Sequence, residues 1–322
     1  MKKIGVFTSG GDAPGMNACI RAVVRTALFY QLEVVGIMHG YNGMINNEMI
    51  PLYSYSVSNI IQQGGTVLKT ARSEAFMTKE GRKKAFDNLQ KQGIEGLVAI
   101  GGNGTFTGAK IFYEEFGLPI IGCPGTIDND LYGTDYTIGF DTAVNTAVDA
   151  IDKIRDTANA HDRLFFIEVM GRDTGYIALY SGIASGAEIV LIPETLTSID
   201  EVIKILNIGK ERKKTSSIVI VAEGDEEGGA LEIANKVKEK FNYYSTRVMI
   251  LGHLQRGGRP TAKDRILASQ LGSAAVQGLI QGKKNVMAGV IHQEVVFTPF
   301  EECIQKQKTI SSNLLSLIDL IR

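Results

Sequence analysis

The chain has 322 residues, enough for two domains with full cores. Its 34 Lys and Arg nearly cancel 35 Asp and Glu, leaving a net charge of −1, so no strong field points to nucleic acid or an anionic membrane. No apolar run nears the ~20 residues of a membrane helix. The short run 4–7 predicts no signal peptide.

Taken in chain order, aliphatic and β-branched runs predict strands at 4–8, 34–38, 97–100, 120–123, 164–170, 188–192, 218–222, 248–251 and 287–291. Amphipathic segments between them predict helices at 17–29, 82–91, 142–160, 199–210, 231–241 and 265–281. Strand alternating with helix implies α/β architecture: two domains, each a mostly parallel sheet flanked by helices. A boundary is expected near Gly139. The basic run 210–214 reads as a solvated helix end. Cys19, Cys123 and Cys303 lack metal-like spacing and suit free thiols in a reducing cytoplasm.

Ligands of open α/β sheets bind beyond the carboxyl ends of strands, and the Gly-rich clusters fall there. The first runs from Thr8 through Gly10, Gly11 and Pro14 to Asn17; the second is Gly101-Gly102-Asn103-Gly104-Thr105. Glycines let backbone N–H groups approach phosphate oxygens at a helix N-terminus. Neither is a Walker A loop, and Thr107 stands where a dinucleotide fingerprint needs its third Gly. Either loop alone reads equally as a tight turn; two in one chain favour phosphate cradles.

The most telling stretch is Pro124-Gly125-Thr126-Ile127-Asp128-Asn129-Asp130, with two carboxylates and a hydroxyl at the mouth of an apolar strand. Such carboxylates suit a base for a hydroxyl proton or a magnesium ligand, against the plainer reading of an Asx-rich turn capping a helix. Arg72, Arg163, Arg172, Arg247 and Arg256 lie beside predicted strand ends, with Arg163 and Arg247 just before strands, and suggest at least two phosphate-bearing ligands. His253 is read as a ligand contact rather than a core histidine, while His39, His161 and His292 read as structural.

Together the segments TSGGDAPGMNA, PGTIDND, GTDYTIG, MGRDTG and GHLQRGG resemble the bacterial ATP-dependent 6-phosphofructokinases, over residues 2 to about 300. The resemblance implies two α/β domains: 1–139 plus about 255–301 for ATP, and 140–254 plus about 302–322 for the sugar phosphate and effector. It implies Asp128 as base, Thr126 holding the transferring phosphoryl group, Gly11 and Arg72 stabilising its charge, and Arg172 acting from the sugar side. Tyr41, Ser73 and Gly102, Asn103, Gly104 and Thr105 match the nucleotide site. Ile127, Asp130, Met170, Gly171, Glu223, His253 and Arg256 match the sugar side. Arg163 and Arg247 reach it from a neighbouring subunit of a homo-oligomer, expected to be a tetramer. Substrates are ATP and fructose 6-phosphate, with Mg2+ near Asn103 and Asp130. Family members using pyrophosphate carry Asp at the Gly104 position and Lys at the Gly125 position, so ATP is the expected donor.

Two departures stand out. Asn103 replaces the family's Asp near magnesium, which predicts a shifted metal requirement; a degenerate regulatory copy is the rival reading. Arg21, Arg25, Arg155, Glu188, Arg212 and Lys214 match the effector site for ADP or phosphoenolpyruvate. Ser54 and Asn59 replace an Arg and an Asp there, which predicts weak or altered allostery.

Overall fold

A computed structural model describes residues 1–160 and 163–321. Its elements in chain order are β1 (Lys3–Thr8), α1 (Met16–Phe29), β2 (Glu33–Ile37), α2 (Tyr41–Asn46), β3 (Met49–Leu52), α3 (Lys79–Lys91), β4 (Gly96–Gly101), α4 (Asn103–Phe116) and β5 (Ile120–Pro124). Then come α5 (Phe140–Asn159), β6 (Arg163–Val169), α6 (Tyr176–Ser185), β7 (Ile189–Leu191), α7 (Ile199–Glu211), β8 (Ser217–Ala222), α8 (Ala230–Lys240) and β9 (Ser245–Ile250). The chain closes with α9 (Ala262–Ile280), β10 (Val286–Ile291), β11 (Glu294–Pro299), α10 (Phe300–Gln305) and α11 (Ser312–Ile321). Among the described residues no helix is long and apolar enough to cross a membrane.

Two compact units divide the chain. The first comprises Met1–Ile127, Leu131–Thr142 and Arg256–Lys308. Its sheet runs β11-β10-β5-β4-β1-β2-β3. The five inner strands are parallel and the two edges antiparallel. All six residues of β4 and all five of β5 are buried, as helices on both faces require. One face packs Phe7, Ile37, Leu97, Phe106, Phe112 and Phe300 into a core. Both edge strands escaped the sequence pattern. Each carries a proline, Pro51 or Pro299, and is largely exposed, and an edge needs neither a full set of ladder donors nor two apolar faces.

The second unit comprises Asp128–Asp130, Ala143–Gln255 and Thr309 onward. Its four strands are all parallel, in the order β7-β8-β6-β9. Phe166, Leu206, Val219, Ile233 and Tyr244 belong to its core. Strand β9 starts at Ser245, so Arg247 lies inside a strand instead of just before one. The polar run Ser245-Thr246-Arg247 disguised it, because this is an edge strand with Ser245, Arg247, Met249 and Ile250 exposed.

In each sheet the order reverses beside one strand. The first sheet grows outward from β1 through β2 on one side and β4 on the other; the second flanks β6 with β8 and β9. Such switch points open a crevice at the carboxyl ends of the strands. The notable motifs are found there.

Candidate active site

In the first unit, three loops follow the adjacent strands β1, β4 and β5. The Gly10 loop is tied to its neighbours by hydroxyls. Thr70 Oγ1 donates to the Gly10 carbonyl at 2.7 Å, and Thr105 Oγ1 donates to the Ser9 carbonyl at 3.1 Å. Thr8 Oγ1 donates to the Lys69 carbonyl at 2.8 Å, and Asn17 Nδ2 donates to the Gln63 and Gly64 carbonyls. These bonds bring the segment bearing Arg72 and Ser73 beside Gly11. Arg72 is exposed and its carbonyl accepts from Asn42 Nδ2 at 3.1 Å; Ser73 Oγ accepts from the Phe76 N–H.

A Cβ added at Gly11 would stand 2.5 Å from Arg256 Nη1, so a side chain there needs that guanidinium to move. Arg256 also donates to the Asp12 carbonyl at 3.4 Å, so it counts with the first unit and rests on the Gly11 loop. Tyr41 is buried, stacks on Phe76 with centroids 3.9 Å apart, and donates its hydroxyl to the Thr105 carbonyl at 2.6 Å. Burial pushes its phenol well above the ordinary range. The ring thereby braces the Gly102–Thr105 loop from behind.

That loop is the first turn of α4. Neither α4 nor α1 has a side-chain cap, and neither carries an acidic residue in its first turn. By contrast α3, α7 and α9 are capped by Thr78, Ser198 and Thr261 and carry acids in their first turns. N–H groups without a side-chain cap and the positive end of the helix dipole suit α1 and α4 to an anion, and α6 starts in the same way. Asn103 and Gly104 are exposed at this end, and a Cβ at Gly104 would meet nothing within 4 Å. A Cβ at Gly125 would meet Ile100 Cγ2 at 3.0 Å and Met16 Cε at 3.1 Å. Thr126 is buried and its carbonyl accepts from Thr137 Oγ1 at 2.6 Å.

The second unit begins its site with Asp128, which is 8% exposed. Asn129 follows in the left-handed region at φ 54°, which Asn tolerates better than most residues. Ile127 is buried and Asp130 half-buried. The next helix starts only at Phe140, so the Asx-turn cap reading fails. Thr174 Oγ1 donates to the carbonyls of Asp128 (3.1 Å) and Gly171 (3.0 Å), which joins the carboxylate's backbone to the loop after β6.

That loop is Met170-Gly171-Arg172. Arg172 is exposed, in the left-handed region at φ 56°, and its N–H donates to Glu223 Oε1 at 2.8 Å. Its strain persists because Glu223, at the end of β8, holds the peptide. Met170 is buried, and its N–H donates to Oε1 of buried Gln255 at 3.3 Å. Glu194 accepts the Gly175 N–H at 2.9 Å, fixing the start of α6. His253 lies in a short turn after β9 and is exposed, not a core residue. Arg163 opens β6, half-buried. Thr174, Glu194 and Gln255 were missed by sequence reasoning. Only Gln255 and Thr174 carried a signal, as polar residues inside the GHLQRGG and MGRDTG motifs.

The effector candidates divide between the units. In the second, Glu188 Oε2 accepts the Ile218 N–H at 2.7 Å and its Oε1 lies 3.3 Å from Lys214 Nζ. Arg155 Nη2 donates to the carbonyls of Ser185 and Gly186. Arg212 ends α7, exposed. Lys214 is thus an ion-pair partner rather than a solvated end. Arg21 and Arg25 lie on α1 in the first unit. Of the other histidines, His39 Nδ1 pairs with Glu48 Oε2 at 2.6 Å, His292 is exposed, and His161 lies outside the described residues. Cys19, Cys123 and Cys303 are free and buried.

Among the described residues no group of three or more His, Cys, Asp or Glu could hold a metal ion. A magnesium ion that escorts a nucleotide takes one or two protein oxygens and fills its other positions with phosphates and water. The Asn103 amide at the exposed end of α4 suits contact with such a water.

The phosphofructokinase family model matches residues 3–279. The chain is 61% identical over 319 residues to an ATP-dependent 6-phosphofructokinase of Cytophaga hutchinsonii, covering 99% of this chain and 97% of that one. It is 58% identical over 321 residues to ATP-dependent 6-phosphofructokinase 1 of Thermus thermophilus, covering 100% and 99%. Its fold matches phosphofructokinase from Saccharomyces cerevisiae with TM-score 0.91 and 35% identity, over 95% of this chain and 45% of the yeast chain. The chain belongs to the phosphofructokinase family.

Proposed function

We propose that this chain is an ATP-dependent 6-phosphofructokinase, transferring the γ-phosphoryl group of ATP to the 1-hydroxyl of D-fructose 6-phosphate. The near-full-length identity to enzymes of that name supports the activity. The structural observation that carries it is the pair of helices, α1 and α4, left without side-chain caps at the carboxyl ends of β1 and β4. Both helix starts offer backbone donors suited to phosphate oxygens.

Asp128 takes the proton of the sugar 1-hydroxyl. That oxygen then bonds to the γ-phosphorus as the bridge to ADP breaks. Thr126 holds the transferring group; the Gly11 N–H and Arg72 stabilise its charge, and Arg172 does so from the sugar side. Magnesium, when bound with the nucleotide, neutralises phosphate charge, with Asn103 and Asp130 as the residues to hold its waters. Tyr41, Ser73 and Gly102 to Thr105 serve the nucleotide. Met170, Gly171, Glu223, His253 and Arg256 serve the sugar phosphate. Arg163 and Arg247 reach a neighbouring subunit's sugar in a cytoplasmic homo-oligomer, read as a tetramer. The exposed Met249 and Ile250 on the same edge strand as Arg247 support that contact.

ATP is favoured over pyrophosphate because Gly104 leaves open space at the N-terminus of α4, where an Asp would crowd and repel an α-phosphate. The test is the rate of fructose 1,6-bisphosphate formation with ATP or pyrophosphate across a magnesium series. Turnover with ATP is expected. Turnover with pyrophosphate alone contradicts the donor assignment, and tight ATP binding without turnover favours the regulatory reading. Allostery is expected to be weak, because Ser54 and Asn59 remove two charges from the effector site. A sigmoidal fructose 6-phosphate curve that ADP makes hyperbolic contradicts this.

A further inference from the structure

Asp264 lies in the first turn of α9, eight residues beyond Arg256 in the sequence and outside every motif described above. It is 1% exposed. Thr261-Ala262-Lys263-Asp264 has the form of a capping box. Thr261 Oγ1 accepts the Asp264 N–H at 3.2 Å, as the box requires. The other half of the box is missing. The Asp264 carboxylate ought to return to the Thr261 N–H, but that N–H donates to Thr142 Oγ1 at 3.0 Å.

The carboxylate is spent on a different helix. Asp264 Oδ1 accepts the Gly139 N–H at 2.9 Å, and Oδ2 accepts the Thr142 N–H at 2.8 Å and the Thr142 hydroxyl at 2.5 Å. It therefore caps the start of α5 from 125 residues away. Burial pushes the Asp264 carboxyl up from its ordinary range, against the hydrogen bonds from Thr142 and Gly139. Burying a carboxylate is costly, and α9 itself needs only the Thr261 cap.

What the carboxylate fixes is Gly139, at φ 103°, a conformation that L side chains rarely adopt. A Cβ on Gly139 would stand 2.7 Å from Ala13 Cβ, and one on Gly15 would stand 2.7 Å from Ile138 Cγ2. Ile138 donates its N–H to the Pro124 carbonyl at 2.8 Å and bridges Gly125, while Thr137 bonds the Thr126 carbonyl. Residues 137–139 thus pack against the Gly11 loop on one side and Thr126 on the other, all within the first unit.

We propose that Asp264 is a positioning residue for phosphoryl transfer, which holds residues 137–139 so that Thr126 and the Gly11 loop face the same phosphoryl group. The proposal rests on the phosphofructokinase reading. The amide of Asp264→Asn presents an N–H to the Thr142 N–H, so the clamp opens on that side. A displacement of ~1 Å at the reacting group costs roughly 10²-fold in rate. Asp264→Asn is therefore expected to lower kcat by roughly ten- to a hundredfold per nucleotide-binding site counted by calorimetry, at a temperature well below either Tm. The ATP Kd stays at the wild-type value, since α4 holds the rest of the nucleotide. Thr142→Val, which removes the hydroxyl link, moves kcat the same way, and Thr142→Ser restores it.

An unchanged kcat per site in Asp264→Asn overturns the proposal, as does a loss of rate that only tracks loss of nucleotide sites. If that variant fails to fold, the Thr142 pair decides: equal kcat for Val and Ser overturns it. A wild-type protein without turnover sinks the functional reading, and the inference with it. Turnover by wild type and variant alike sinks the inference alone.

Discussion

The two sheets solve one electrostatic problem by different means. At the carboxyl ends of β1, β4 and β5, the proposed phosphate site offers chiefly backbone donors: two helix N-termini without side-chain caps and the glycines of their loops. At the ends of β6, β8 and β9 the proposed sugar-phosphate site offers side chains, with Arg172 exposed in a strained conformation and His253 on a short turn. Backbone donors are fixed before any ligand arrives, whereas an exposed guanidinium gives up rotamer freedom on binding. Fixed donors meet charge that develops during transfer without reorganising. A mobile guanidinium such as that of Arg172 is ordered only once it closes on a ligand.

Substitutions can break that contrast. Arg172→Ser should leave the fold and ATP affinity intact while lowering kcat by roughly 10²–10³-fold, the usual cost of one transition-state donor. A rise in KM with unchanged kcat would place Arg172 in ground-state binding instead. Gly11→Ala acts on the backbone side. Its methyl meets Arg256 Nη1 at 2.5 Å, and the shift this forces on the Gly11 N–H should appear as a roughly tenfold fall in kcat. A wild-type kcat would mean that Arg256 swings away freely.

The smallest change sharpens the comparison. Asn103→Asp adds a carboxylate to a helix end that has none, which the dipole favours by ~0.3–1 kcal/mol. Magnesium titration should show half-saturation falling by about fivefold, the small surplus left when desolvation offsets the ~8 kcal/mol between a carboxylate and a divalent ion ~4 Å apart at an effective dielectric of ~20. A raised Tm with unchanged magnesium dependence would assign Asn103 to the helix and not the metal.

Much of this was legible because the inner strands of a parallel sheet are continuous apolar runs. The strands beginning near Ile4, Leu97, Ile120, Leu164 and Ile218 stand within a residue or two of their expected bounds. Strands β3 and β11 were not, because a proline-bearing edge lacks that pattern. The ligand-facing groups were visible as motifs; the groups that hold them were not. Glu194 reaches Gly175 across 19 residues, Asp264 reaches Gly139 across 125, and Arg256 reaches Asp12 across 244. Each partner is a backbone N–H or carbonyl, which has no sequence signature. Tyr41 was read as a nucleotide contact from resemblance, and its bond to the Thr105 carbonyl emerged only from the fold.

The central proposal is that buried Asp128 is the general base for phosphoryl transfer. The direct measurement follows label from the γ-position of ATP into fructose 1,6-bisphosphate for wild type and Asp128→Asn, with the affinity of each ligand measured alongside. The account predicts that both proteins bind ATP and fructose 6-phosphate alike and that transfer by the variant is slower by roughly 10²–10⁴-fold, the worth of a general base. Equal transfer rates, or wild-type label appearing only as inorganic phosphate, would contradict it.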